Sequence, residues 1–308
     1  MNGFLNFLKP AGMTSHDAVV WFRKLSGERK TGHLGTLDPM ATGVLPLALG
    51  ASRKLTEYLI QKDKEYEAEF TFGITTNTGD VTGEVVSCKD CSGLTRDRVL
   101  EVLPLLTGEI SQVPPLFSAV KVSGKKLYEL ARRGETVQPK PRKVIVYEFS
   151  LVRWKEGVRP RATFHLRVGK GTYVRALAQR LGELVGTGAT VSRLERTRAG
   201  PFRIQDGYSP EKLLELKRLG RLHEAVLSPT KCLPEFPAFP VGPDVVQAVK
   251  NGAPLKASLI PGAVRNVLSS SGHPGLFFLV DRNGEVVALM RLEHEDDRIR
   301  YEKVLISS

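Results

Sequence analysis

The stretch KEYEAEFTFGI, Lys64 to Ile74, constrains the fold more than any other part of the chain. Apolar side chains recur at every second position, Tyr66, Ala68, Phe70 and Phe72. Successive side chains of an extended strand point to opposite faces, so this period of two puts all four on one face of a sheet. Other strand patterns are GVLPLAL, VIVYEFSLVRW and PRATFHLRVGKGTYV, and ITTNTGDVTGEVV reads as a turn leading into a strand. Helical patterns lie between them. SHDAVVWFRKLSG has Ser15 as the expected N-cap, an apolar stripe of Val19, Phe22 and Leu25, and Gly27 as its stop. A short helix is expected near Leu55 to Ile60. LTRDRVLEVLPLLTGEI is expected to be capped by Thr95, RALAQRLGELVG to end at Gly186, and SPEKLLELKRL to form a later helix. Strands do not alternate strictly with helices and hairpin signals dominate. The expected class is therefore α+β, a mixed, largely antiparallel sheet flanked by helices, rather than a doubly wound fold.

Two features divide the chain. The proline-rich joint CLPEFPAFPVGP separates residues 1–233 from a tail at 237–308. In that tail GLFFLVDRNGEVVALMRLE, with its Asn283–Gly284 turn, reads as a hairpin of a small β-rich domain. Between about 113 and 143 the composition shifts to basic residues, Gly and Pro, with one short helix expected from Leu127 to Arg132. This segment reads as an insertion standing off the core.

The net charge is +12 and the pI about 9.7, the balance of a protein that meets a polyanion. From Pro234 onward there are 8 Lys/Arg against 9 Asp/Glu, so the first 233 residues hold 37 basic and 24 acidic residues. The polyanion surface is expected there. The chain has no apolar run of about 18 residues, which argues against a transmembrane helix. The start MNGFLNFLKP lacks the pattern of a signal peptide. Three cysteines do not make a disulfide framework, and the expected compartment is the reducing cytoplasm.

Several chemistries find no support. There is no GxxxxGK[ST] phosphate loop and no GxSxG nucleophile elbow. Cys88 and Cys91 form one CxxC without a second Cys or His pair at a usable spacing, so no metal is expected. The pair reads as a loop accident or an incidental disulfide. What stands out is HLGTLDPMATGVLP, His33 to Pro46, a Gly-punctuated loop with one carboxylate, Asp38. Asp-Pro is a common turn dipeptide. Yet a carboxylate in a small, otherwise uncharged loop is poorly solvated unless paired, and a single Asp can act as a nucleophile. In VGKGTYVRALAQRLG, Tyr173 and Arg175 are two apart and share a face if the segment is a strand. An inward Arg needs an anion, and Asp38 is the natural one.

GHLGTLDPMATGVLP closely resembles the catalytic motif of the TruB family of tRNA pseudouridine-55 synthases. The resemblance continues, in order, through KPAGMTSHDAV, KEYEAEFTFGITTNTGD, PPLFSAVKVSGKKLYELARRG and GTYVRALAQRLG. It implies a pseudouridine-synthase-like fold followed by a PUA-like RNA-binding domain at 237–308. It implies isomerisation of uridine 55 in the tRNA T-loop, without a cofactor, by a flipped nucleotide and an aspartate-dependent exchange of a C–N for a C–C glycosidic bond. Position by position, it makes Asp38 the nucleophile and Arg175 its partner. Tyr66 would stack on the base and assist proton removal as a third catalytic residue, Tyr173 and Leu194 would line the pocket, and His33 would contact the RNA. Asp38 attack on C6, attack on C1′ and abstraction of a ribose proton all remain open here.

The insertion from Ser118 to Lys143 holds 8 basic residues against 2 acidic ones. It is expected to be a mobile thumb that grips the T-arm through Lys121, Lys125, Lys126, Arg132, Arg133, Arg142 and Lys143. Two rival classes compete with this reading: an RNA-binding or RNA-chaperone protein with an idle pocket, and a guide-dependent synthase. The trio Asp38, Tyr66 and Arg175 argues against the first. The short N-terminus, the thumb and the absence of long basic tails argue against the second. A monomer with no obligatory protein partner and no membrane contact is expected.

Overall fold

The computed structural model describes residues 1–115, 117–118, 120–122, 125–127, 139–255, 275–293 and 298–306. Its main sheet follows the order β14–β1–β3–β12–β4–β11–β10–β7. In space these are β14 (Val226–Leu227), β1 (Gly3–Lys9), β3 (Thr42–Leu49), β12 (Ala189–Ala199), β4 (Lys64–Phe72), β11 (Arg161–Val168), β10 (Arg142–Lys155) and β7 (Gly108–Gln112). Two short strands hang from this path: β2 (Thr31–His33) pairs with β3, and β13 (Phe202–Arg203) with β12. Every described pairing in this sheet is antiparallel except β3 with β12. The fold is thus the mixed, largely antiparallel α+β arrangement.

The alternation read from KEYEAEFTF becomes β4, near the centre of the sheet, with Tyr66, Ala68, Phe70 and Phe72 all buried. On that face Phe70 packs against Phe164 of β11 at 4.8 Å and against Phe149 of β10 at 6.1 Å between ring centroids. The helices are α1 (Ser15–Ser26), α2 (Thr56–Ile60), α3 (Arg96–Val102), α4 (Val174–Leu184), α5 (Pro210–Arg218), α6 (Pro229–Cys232) and α7 (Pro243–Lys250). Ala18, Val19 and Phe22 of α1 and Leu177, Ala178 and Leu181 of α4 join the same apolar cluster. Among the described residues no helix is long and apolar enough to cross a membrane.

Local structure departs from the sequence reading in three places. The N-cap of α1 is Thr14, not Ser15. Thr14 accepts from Asp17 N, and the Asp17 carboxylate accepts from Thr14 N, a capping box. Ser15 is free for a tertiary role because its neighbour caps the helix. The strand β11 ends at Val168, and Gly171, at φ +78°, turns the chain, so Tyr173 and Arg175 sit at the start of α4 rather than on a strand. Finally, α3 stops at Val102 and continues as a 3₁₀ turn, Leu103–Leu106, because Pro104 has no N–H to donate. Thr95 caps α3 as expected.

A two-stranded ribbon, β5 (Ile74–Thr76) with β6 (Val85–Cys88), projects beyond β4. In the insertion β8 (Lys121–Val122) pairs with β9 (Lys125–Lys126). The helix expected from Leu127 to Arg132 falls, past Leu127, outside the described residues. So do Arg132 and Arg133 and the side chains of Lys121, Lys125 and Lys126. Arg142 and Lys143 open β10, both exposed, and Lys143 Nζ lies 2.8 Å from Glu109 Oε1.

A second sheet follows, ordered β15 (Ala238–Pro240), β16 (Leu276–Val280), β17 (Val286–Glu293) and β18 (Arg298–Val304). The Asn283–Gly284 pair lies in the β16–β17 hairpin. Gly284, at φ +80°, donates to Asp281 O at 3.0 Å, while Asp281 Oδ1 accepts from the N–H groups of Asn283 and Glu285. This sheet docks on the first through one apolar cluster that includes Phe4, Val44 and Leu55 on one side and Phe236, Phe278, Leu289 and Leu305 on the other. Tyr58 Oη donates to Glu302 at 2.9 Å and Lys54 Nζ to Val304 O at 2.7 Å across the same junction.

Candidate active site

The loop between β2 and β3 carries Asp38, and three buried side chains hold that loop from beneath. The Ser15 hydroxyl accepts from Leu37 N at 2.8 Å and donates to Leu37 O at 3.1 Å. Lys9, only 1 % exposed, donates to the carbonyls of Pro10 (2.8 Å), Met13 (2.7 Å) and Pro39 (3.2 Å). Arg196, also 1 % exposed, reaches Val44 O at 2.7 Å, Gly35 O at 3.3 Å and Thr36 O at 3.4 Å. Gly43 makes this seat possible. It sits at φ +93°, and a Cβ there would lie 2.4 Å from Arg196 O.

Asp38 faces Arg175. Arg175 Nη2 donates to Asp38 Oδ1 at 3.0 Å, and Nε lies 2.9 Å from Oδ2. The Nε–H points off that second line, so the Nε contact is an ion pair and the Nη2 contact a hydrogen bond. The guanidinium is further held by Thr78 O at 2.8 Å and Phe117 O at 3.0 Å, and Nη1 lies 3.6 Å from Asp80 Oδ2. Asp80 is fixed in turn by Thr82, whose N–H and hydroxyl donate to Oδ1 at 3.0 and 2.5 Å, and by the Thr78 hydroxyl at 3.0 Å. Arg175 and Asp80 side chains are 5 % exposed and that of Asp38 is 29 % exposed. Of the three side chains, that of Asp38 is the most exposed.

Electrostatics follow from this packing. Burial pushes the Asp38 carboxyl above the usual carboxylate range. The Arg175 guanidinium opposes that shift and the Asp80 carboxylate adds to it. Burial lowers Lys9 to about 8, against the pull of Asp38 and with the push of Arg196. The imidazole of His33, at the end of β2, is lowered by burial and by Arg196, so it is neutral at pH 7, and its Nδ1 is buried without a partner.

The remaining candidates lie on neighbouring elements, without a contact to this pair among the described ones. Tyr66, 8 % exposed, has Arg196 as its cross-strand partner, and Arg196 in turn holds the loop bearing Asp38. Leu194, 5 % exposed, is the β12 partner of Ala68. Tyr173 is the N-cap residue of α4, two residues before Arg175, and its backbone is gripped by the side chain of Gln112. Direct contact thus joins Asp38 and Arg175, while Tyr66, Leu194 and Tyr173 lie on the strands and helix start that frame them. Lys9, Gln112, Asp80 and Arg196 were not singled out as site residues from the sequence. Asp80 and Lys9 lie at the ends of motif stretches, in NTGD and KPAG, which is the one signal that could have found them.

Among the described residues no group of three or more His, Cys, Asp or Glu side chains could hold a metal ion. Cys88 is exposed, Cys91 and Cys232 are buried, and all three thiols are free.

Residues 23–174 match the family model described as TruB family pseudouridylate synthase, N-terminal domain. The "tRNA pseudouridine synthase B" of Pelotomaculum thermopropionicum is 44% identical over 268 residues, 86% of this chain and 84% of that protein. That of Moorella thermoacetica is 40% identical over 292 residues, covering 94% of each. A chain in the crystal structure of a Cbf5–Nop10–Gar1 complex superimposes with a TM-score of 0.69 at 27% identity, over 99% of this chain and 85% of its own. A chain of an H/ACA ribonucleoprotein bound to a substrate RNA containing 2′-deoxyuridine gives a TM-score of 0.68 at 25% identity, with 99% and 85% coverage.

Proposed function

The chain belongs to the TruB family of pseudouridine synthases, and on that premise we propose that its target is uridine 55 in the T-loop of tRNA. It is an isomerase that converts uridine to pseudouridine in tRNA. The observation that carries the finer reading is the partly exposed carboxylate of Asp38, aimed by a buried guanidinium in a loop with no other acid.

The reaction breaks the C1′–N1 bond, turns the uracil in its pocket and joins C5 to C1′. The hydrogen of C5 leaves as a proton, N1 gains one, and nothing is hydrolysed. A base stacked in the T-loop cannot reach a loop-bound carboxylate, so the nucleotide must be flipped out. Flipped bases are held by aromatic stacking and by hydrogen bonds to their edges. Tyr66 serves as the stacking surface, Tyr173 and Leu194 as pocket walls, and neutral His33 as a contact to the RNA. Arg175 favours the ionised, nucleophilic form of Asp38 against the burial that disfavours it. An ionised carboxylate can open the reaction at C6, at C1′ or at a ribose proton.

Residues 1–233 serve as the catalytic domain in this reading, with the thumb at 113–143 gripping the T-arm through its basic side chains. Residues 237–308 serve as a PUA-like RNA-binding domain, its near-neutral charge making it a minor electrostatic contributor. The enzyme works as a cytoplasmic monomer without an obligatory protein partner. Pseudouridine mapping by carbodiimide modification and primer extension on a treated tRNA transcript tests the target. A carbodiimide-dependent stop immediately 3′ of position 55, reporting pseudouridine at 55 and lost in a transcript carrying cytidine there, is the expected result. A stop elsewhere, with position 55 unmodified, would refute it.

A further inference from the structure

Gln112 stands where two parts of the site meet. It is the last residue of β7, at the point where the chain leaves for the basic insertion, and it is 6 % exposed. Both ends of its amide are used on one residue. Tyr173 N donates to Gln112 Oε1 at 2.8 Å, and Gln112 Nε2 donates to Tyr173 O at 3.0 Å. Tyr173 is the N-cap of α4 and makes no side-chain cap bond of its own. The Gln112 side chain therefore acts as a strand-like partner for the residue from which α4 starts.

Five residues later the same segment touches α4 again. Phe117 O accepts from Arg175 Nη2 at 3.0 Å, the nitrogen that also donates to Asp38 Oδ1 at 3.0 Å. The base of the insertion thus holds the helix start at its backbone and at its guanidinium. Burial alone does not require an amide at position 112, since a methionine would fill the space. A two-ended amide clasp fixes both the position and the rotation of the Tyr173 peptide. Such placement matters for catalysis more than for stability: two neutral hydrogen bonds add little net stability, since water would replace them in the unfolded chain, whereas a misplacement of about 1 Å near reacting groups can cost about 100-fold in rate.

We propose that Gln112 is a positioning residue for the isomerisation. By clasping Tyr173 it sets α4 so that Arg175 meets Asp38, and the base of the basic insertion is thereby part of the catalytic site. The inference rests on the roles given above to Asp38 and Arg175.

The test uses the full chain and a tRNA transcript, with Gln112→Met, Gln112→Glu and Asp38→Asn. Gln112→Met keeps length and burial and removes both bonds. Its kcat is expected to fall about 10–100-fold, with KM and tRNA Kd within about two-fold of wild type. The groups facing Asp38 are Arg175 from α4, Asp80 from the turn after β5 and Lys9 from β1. With the guanidinium displaced, the acid limb of the kcat–pH profile moves to higher pH. A protonated Glu offers one O–H donor and one C=O acceptor, the pattern of the amide. The kcat of Gln112→Glu relative to wild type should therefore rise as pH is lowered, and that of Gln112→Met should not. A lower Tm with unchanged kcat and acid limb would overturn the inference, as would a raised KM with kcat intact. Loss of activity in Asp38→Asn beside wild-type behaviour of both Gln112 variants would overturn this inference alone. Activity retained by Asp38→Asn would overturn the reading of the site and this inference with it.

Discussion

Replacing Arg175 with methionine should destabilise the protein in a pH-dependent way. The side chain is 5 % exposed and serves two carboxylates and two carbonyls at once. Removing one partner of a buried ion pair costs about 3–5 kcal/mol, because the other charge stays buried without compensation. The freed carbonyls of Thr78 and Phe117 add about 1–3 kcal/mol each where no water reaches them. Asp38 is 29 % exposed, so solvent screening trims its share, and the lower part of the combined range, about 5–7 kcal/mol, is expected at neutral pH. The sign of the pH dependence follows from Asp38. Its folded-state pKa stands above the ordinary value, so in the window between the two the folded protein holds more protons than the unfolded chain. Stability contributed by this group therefore rises as pH falls through that window. In Arg175→Met the folded pKa climbs further and the window extends upward. Urea unfolding of both proteins from about pH 8 down to about pH 5 should show the stability difference shrinking as the carboxyl takes up its proton. A difference that is constant across the range would refute the claim that Arg175 offsets the burial of Asp38.

Gly43→Ala should be far more damaging than an ordinary loop substitution. It forces φ +93° on an L side chain and drives Cβ to 2.4 Å from Arg196 O, so soluble yield and Tm should both fall, while Gly27→Ala, at a helix end with open space around it, loses only about 1 kcal/mol. Thr14→Ala removes the α1 cap and should cost about 1 kcal/mol without altering kcat, as read by urea unfolding and initial rates. Alanine at Lys125, Lys126, Arg132 and Arg133 should weaken tRNA binding and reduce the slope of log K against log salt by up to about 4. Unchanged affinity and slope would remove the thumb from the binding surface.

The sheet was legible where one strand is half buried. The period of two in KEYEAEFTF follows from a strand whose one face meets the core, and β4 is that strand. The Asn-Gly hairpin of the tail was legible because its turn chemistry is local. Local signals misled where two adjacent residues can do the same job. Thr14 and Ser15 both cap helices well, and it is the distant Leu37 backbone that takes Ser15. Asp38 was legible as an isolated carboxylate and Arg175 as an inward cation in need of an anion, although Arg175 sits at a helix start and not on the strand that this reading assumed. The roles of Lys9 and Arg196 were not legible, because their partners are carbonyl groups 1 to 161 residues away, which no spacing rule encodes. Gln112 was invisible for the same reason, since its partner is the backbone of Tyr173.

The most direct test of the account is release of tritium from a tRNA transcript labelled at C5 of uridine, with wild type and Asp38→Asn side by side. Isomerisation leaves mass unchanged, but forming the C5–C1′ bond must expel that hydrogen. Stoichiometric release by the wild type and none by Asp38→Asn, with tRNA binding retained by both, is the predicted result. Release by Asp38→Asn at the wild-type rate would contradict the central claim and return Asp38 to the role of a turn residue.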